Sequence, residues 1–298
     1  MIPPSAAPGL LCGSGAVPCE PALPGAAVPG GVYLCQVNED LSCGACCGLY
    51  NLPLSGETAL RAFLEARTAA FSAVPRRMEQ IADFGKRAAE GIEGRQPVVG
   101  FHHCPFVGLI GTGRPRVGCL LHPLAAGNGG VDFRGLSHYG GMACRIYFCP
   151  SHEALLPAWK RIVQRTSGSW YLYGLVITED ELLGGIFSAI ETRIGRPLAE
   201  EDITDRPDCI AAMHRLLRLK CDWPHRPRHI PGPVNYFFKD RSRTRPPVVY
   251  PASRGSHVFD AMFRALGSVF DSEAALADAE ARIRGPISEI VSRIGGCR

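Results

Sequence analysis

The spacing of apolar positions divides the chain in two. From Ser151 onward hydrophobic residues recur at helical intervals: Leu155, Leu156, Trp159, Ile162 and Val163, then Leu182, Leu183, Ile186, Phe187, Ile190 and Ile194, then Ile210, Met213, Leu216 and Leu217. Residues three and four apart share one face of a helix, so each set predicts an amphipathic helix packed on a common core. Local chemistry supplies the starts. Ser151 can cap the first helix with Glu153 in its first turn, Thr178 and Glu181 form a capping-box pattern before the second, and Asp205 with Pro207 opens the third. Two more helices are predicted over 256–269 and 272–294, the second broken at Gly285-Pro286 because proline removes a backbone donor. The stretch 170–177 is apolar and aromatic throughout and fits a strand as well as a helix.

Before residue 150 the periodicity is interrupted. Pro and Gly occur thirteen times in the first 31 residues, with little to bury, so residues 1–32 read as a disordered arm in which Cys12 and Cys19 have no role. A helical pair follows. Leu60, Phe63, Leu64 and Phe71 face one way in the first helix, which Pro75 ends; Met78, Ile81, Phe84 and Ala88 do so in the second, which Gly91 and Gly94 stop. Around this pair the chain is rich in Gly and Cys, with short strands predicted near 117–121 and 144–148 and turns elsewhere. The resulting organisation is mainly α: an arm (1–32), an irregular cysteine-rich domain with a helical insertion (33–150), and an α-helical domain (151–298).

Composition adds limits. With 46% hydrophobic and 20% charged residues the chain is globular in character, and no run approaches the roughly 18 apolar residues of a membrane span. The first basic residue is Arg61, so the basic n-region of a secretory signal is missing. Residues 212–256 hold ten Lys or Arg against two acids. Within them the tract 215–245 interleaves Trp223, Tyr236, Phe237 and Phe238 with cations and with His225 and His229. Such a tract could bind single-stranded nucleic acid, but a solvated loop packed on the helices is the preferred reading.

The candidate chemistry lies in the cysteines. Thirteen is an odd number in a chain longer than disulfide-stapled secreted domains, which points to a reducing, cytoplasmic setting and to metal or redox chemistry. Three thiols fall within Cys43-Gly44-Ala45-Cys46-Cys47, and Cys35, Cys104, Cys119, Cys144 and Cys149 complete a group of eight. Clustered thiolates suit zinc or iron. Cys43 and Cys46 have zinc-knuckle spacing, but adjacent side chains diverge, so Cys46 and Cys47 either serve different metals or leave one thiol free. The eight could form two four-thiolate sites or hold one four-iron cluster with thiolates in hand. His102, His103 and His122 lie near cysteines and could ligate; Arg145 is suited to donating hydrogen bonds to thiolates or backbone. Cys209, Cys221 and Cys297 read as structural or incidental. Gly111-Thr112-Gly113 is a turn, not a dinucleotide loop.

The order of C-G-A-C-C at 43–47, C-P-F at 104–106, G-C-x-x-x-P at 118–123 and C-R at 144–145 resembles the YkgJ family, described as zinc- or iron-chelating cysteine clusters. The resemblance covers about residues 35–150 and implies that Cys43, Cys46, Cys47, Cys104, Cys119 and Cys144 occupy ligand positions. Where that family has its first cysteine this chain has Asp40; either its carboxylate substitutes, or Cys35 reaches in, which keeps the soft-ligand set intact. Leu121-His122 stands where the family has Ile-Tyr. A metal-binding protein is the leading expectation. The alternatives are an iron–sulfur oxidoreductase, a methyl-transferring enzyme similar to the flagellin lysine methylases, and a nucleic-acid-binding module. Substrate and partners are not legible.

Overall fold

Turn and helix signals in the sequence translate into a mainly helical fold, seen in a computed structural model that describes residues 28–54, 56–98, 100–111, 115–228, 245–251 and 256–295. Among the described residues 55% are helical and 5% are in strands. The inserted pair forms as expected, α1 (Glu57–Ser72) and α2 (Met78–Glu90). Two short strands follow, β1 (Val107–Ile110) and β2 (Arg116–Cys119), paired antiparallel with Val107 opposite Cys119. β2 matches the strand predicted near 117–121, whereas the strand predicted at 144–148 is absent: α3 (Gly140–Ile146) covers its first half.

The single helix expected from Ser151 is two, α4 (Ser151–Ala154) and α5 (Pro157–Thr166). Pro157 is the cause: the residue before a proline is pushed out of the helical region, and Leu156 sits at ψ 147°. The ambiguous stretch is helical, α6 (Trp170–Val176), started by Ser169, whose hydroxyl accepts from the Leu172 amide. Helix α7 (Asp180–Ile194) forms without the expected capping box. Thr178 Oγ1 instead donates to Gly174 O, and Glu181 pairs with Arg264. Beyond lie α8 (Glu201–Thr204), α9 (Pro207–Asp222), α10 (Asp260–Leu266) and α11 (Glu273–Gly295). The break expected at Pro286 does not occur; α11 runs through it with Ile283, Ile287 and Ile290 fully buried.

Three buried clusters hold these elements. The largest joins α5, α6, α7, α9, α10 and α11, and it takes in Val32, Leu34 and Leu41 from the N-terminal side. Val32 is therefore docked rather than part of an arm, and the Gly30 carbonyl accepts from the buried Lys160 ammonium at 2.9 Å. A second cluster packs Leu49, Tyr50 and Leu52 with Leu60, Leu64, Val107 and Val117. Trp170, Tyr171 and Leu175 of α6 complete it, while Leu172, Tyr173 and Val176 face the first cluster. Helix α6 is buried on every side, so it carries no polar stripe to reveal its period. The third cluster gathers Phe71, Ile81, Phe84, Phe106, Leu120 and Leu121 under the helical pair. Packing thus crosses residue 150, and the cysteine-rich stretch has an apolar core of its own. Among the described residues no helix is long and apolar enough to cross a membrane. Residues 1–27 of the expected arm, the Gly111-Thr112-Gly113 turn beyond its first residue, the aromatic core of the basic tract (Tyr236, Phe237, Phe238) and Cys297 lie outside the described residues.

Candidate metal centre

Backbone hydrogen bonds gather the cysteines. Residues 36–42 fold back on themselves through a Gln36–Ser42 bridge, and the Cys43 amide donates to the Cys35 carbonyl at 2.7 Å, which sets those two residues side by side. Ser42 Oγ donates to Val117 O on β2 at 2.7 Å and fixes this loop to the sheet. The chain then makes a tight turn over Ala45–Cys47 and leaves it through Gly48 at φ 71°. A Cβ on Gly48 would stand 1.9 Å from the His102 carbonyl, so both the left-handed backbone and the close approach require glycine. Directly beyond, the Cys104 amide donates to the Cys47 carbonyl at 2.8 Å and lays the second cysteine segment on the first. Cys119 ends β2; Cys144 lies on α3 with Ser137 Oγ 3.0 Å from its sulfur; Cys149 stands just before α4, its sulfur 3.4 Å from His152 Nδ1.

The eight thiols fall into two groups. Cys35, Cys43, Cys46 and Cys149 line one cavity of about 20 Å³, together with His152 and apolar walls. Burial pushes the Cys35 and Cys43 thiols well up, and negative charge on Cys46 and Cys149 adds to this; burial and then Cys46 raise Cys149 to about 11. The second group is Cys47, Cys104 and Cys119, with Cys144, exposed on α3, joined to it through its electrostatic effect on Cys104 and Cys119. Cys47, Cys104 and Cys119 pack in the third core cluster. Burial, then Cys104 and Cys144, push Cys119 to about 12, and burial first raises Cys104, to which Cys144 adds. The groups adjoin at the vicinal pair: the Cys47 thiol donates to Cys46, which lowers Cys46 and raises Cys47. All eight remain unbridged by disulfides.

The neighbouring groups sort themselves by their partners. His102 Nε2 donates to the Cys46 carbonyl at 2.8 Å and its Nδ1 accepts from Tyr139 at 2.8 Å, so both nitrogens are taken. His103 is likewise spent, Nδ1 on Gly48 O at 3.0 Å and Nε2 on Arg67 at 2.6 Å. Burial first lowers both rings, to about 4 and about 3, so each is neutral, and with both nitrogens engaged each ties loops together. His122 Nδ1 accepts from the Leu124 amide. Arg145 reaches not a thiol but Asp132, which also holds Arg134. Asp40 is exposed and does not line the cavity, whereas Cys35 does. His152 was not singled out from the sequence, where a lone histidine after Cys-Pro-Ser carries no signal. It is fully buried, it lines the cavity, and its Nε2 has no hydrogen-bond partner.

Apart from the exposed Arg228, the described cations of the basic tract are engaged within the chain. Lys220 and Arg245 flank the buried Glu179, Arg215 pairs with Glu289, Arg218 with Asp222, and Arg226 donates to two carbonyls. Cys209 is fully buried in the helical core.

Among the described residues, no group of three or more His, Cys, Asp or Glu side chains is set to hold a metal ion as it stands. Protonated thiols have no reason to converge on a point, and a metal binds only the thiolate. The donor chemistry is that of soft-metal sites, and the cavity is about the size of one ion or one water. Compared with family models, with curated proteins and with solved structures, the chain matches none, so its function rests on these side chains.

Proposed function

We propose that this chain is a metal-binding protein whose clustered thiolates hold zinc or iron, in an irregular cysteine-rich region joined to a helical one. The observation that carries the reading is the cavity lined by Cys35, Cys43, Cys46 and Cys149, four thiols brought from three separate stretches of chain. At about 20 Å³ it has room for a single ion or a single water. Burial and mutual repulsion hold most of these thiols above their ordinary pKa. A soft cation reverses that balance, because it supplies the positive charge that buried thiolates lack. The bound metal would pin residues 35–47 to the start of α4 and to α6 behind it, a structural role that the apolar clusters alone perform less rigidly. The order of cysteine motifs, which resembles that of the YkgJ family, is in keeping with the same reading.

Metal and sulfide analysis of anaerobically purified protein, with its absorption spectrum, is the test. Zinc or iron at stoichiometric level is expected, colourless for zinc and with visible charge-transfer bands for thiolate-bound iron. Metal-free protein with full helical content would sink the reading.

A further inference from the structure

We infer that the chain holds two single divalent ions, not one, in adjoining sites divided between the vicinal thiols: Cys35, Cys43, Cys46 and Cys149 take the first, and Cys47, Cys104, Cys119 and Cys144 the second. The inference rests on the metal-binding reading and assigns its ligands. Each group supplies four thiolates, the number that closes a tetrahedral zinc- or iron-type site. The division falls within one tight turn: the thiols of the successive residues Cys46 and Cys47 touch, yet Cys46 lines the cavity, whereas Cys47 packs with Cys104 and Cys119 under the helical pair.

A second observation is independent of the thiols. An ion with four thiolates carries a net charge of −2, which is costly to bury without a cation nearby. Each group has one. Lys160 is fully buried, donates to Gly30 O at 2.9 Å and His152 O at 2.5 Å, and lies close enough to Cys149 to act on it electrostatically. Arg67 is buried without a carboxylate partner among its hydrogen bonds and acts in the same way on Cys104. Two buried cations on two sides of the turn are accounted for by two anionic centres. A single centre would leave one of them burdening the fold.

The test is the number of ions per chain after anaerobic loading with zinc, together with the count of thiolates bound per ion from charge-transfer absorbance of the cobalt form. Wild-type protein is expected to hold two ions on eight thiolates. Cys149→Ser and Cys119→Ser should each hold one. The pair Cys46→Ser/Cys149→Ser, both in the first site, should still hold one, while Cys46→Ser/Cys119→Ser should hold none. One ion per wild-type chain, a four-iron cluster with sulfide, or loss of both ions from the first pair overturns the inference and leaves the metal-binding reading standing. Folded wild-type protein that takes up no metal removes that reading and the inference with it. The wild-type counts stand even where a variant fails to fold, which circular dichroism reports.

Discussion

Arg67→Met separates the electrostatic role of a buried cation from its structural one. The Arg67 guanidinium donates to His103 Nε2 at 2.6 Å, and more weakly to the Cys104 and Val107 carbonyls at 3.4 Å each, so it ties down the loop that carries Cys104. Methionine retains the stem that packs in the protein and removes the charge. The lost tie to a buried acceptor costs about 1–3 kcal/mol. Set against it, burial without a carboxylate lowers the guanidinium pKa to about 10, a desolvation cost of about 3 kcal/mol that methionine relieves. The two nearly cancel, so the metal-free chain should lose no more than about 1 kcal/mol in urea denaturation. The metal-bound chain has no such compensation. Taken at about 7 Å, a unit charge facing the net −2 of a four-thiolate centre at an effective dielectric near 20 contributes about 5 kcal/mol, or roughly three-thousandfold in affinity. Competition with a chromophoric chelator should therefore show the second ion weakened by roughly three orders of magnitude and the first far less, with Arg67→Lys in between. Equal weakening of both ions would refute the assignment of Arg67 to the second site. A loss above about 3 kcal/mol in the metal-free chain would show that its role is mainly structural.

Two other perturbations probe the frame around the site. Asp132, held by Arg134 at 2.8 Å and by Arg145, has its carboxyl well below the usual range, chiefly through the Arg134 hydrogen bond. A carboxyl whose folded pKa is depressed contributes stability above about pH 4 and loses it as pH falls toward the folded value. The urea midpoint of the wild type should thus fall more steeply below about pH 4 than that of Asp132→Asn, and parallel curves would rule out the linkage. Glu179→Gln tests the helical core: the fully buried carboxylate faces Lys220 at 2.9 Å and Arg245. Leaving those cations unpaired should cost about 3–5 kcal/mol without changing the metal content of the folded chain. A loss under about 1 kcal/mol would mean that the cations rearrange to solvent.

What the sequence discloses of this fold follows from how each element is buried. Helices α1, α2, α7 and α9 bury one face, so their periodicity is visible in the sequence. Helix α6 buries all of its faces and shows none. Strand β1 is Val107-Gly108-Leu109-Ile110, which reads as a turn, yet Gly108 pairs with Gly118 across the two strands. A Cβ on Gly118 would stand 2.3 Å from Ile110 Cδ1, so glycine here marks close packing rather than a bend. At Pro286 the rule for breaking helices was outweighed. A proline inside a helix costs about 3 kcal/mol, and three buried isoleucines beside it offer about 1.5–3 kcal/mol each. Such a balance is set by tertiary contacts that no local pattern contains.

The candidate site was legible by residue type and not by arrangement, for a related reason. Count and motif order pick out the eight thiols, but spacing along the chain cannot say which of them meet. Cys35 and Cys149 are 114 positions apart and line one cavity, whereas Cys46 and Cys47 are neighbours that belong to different groups. The grouping follows from what the turn at Ala45–Cys47 meets: Cys46 lines the cavity, while Cys47, its thiol still touching that of Cys46, packs into the core under α1 and α2. His152 and Arg67 were invisible for the same cause: neither stands in a motif, and each acquires a role only in the folded chain, His152 where Cys35, Cys43 and Cys46 reach the cavity it lines and Arg67 where the loop of Cys104 comes within reach of its guanidinium. A vicinal cysteine pair at the seam between two packed regions would let one turn serve the two proposed centres, and so would tie the regions together through metal as well as through apolar contact.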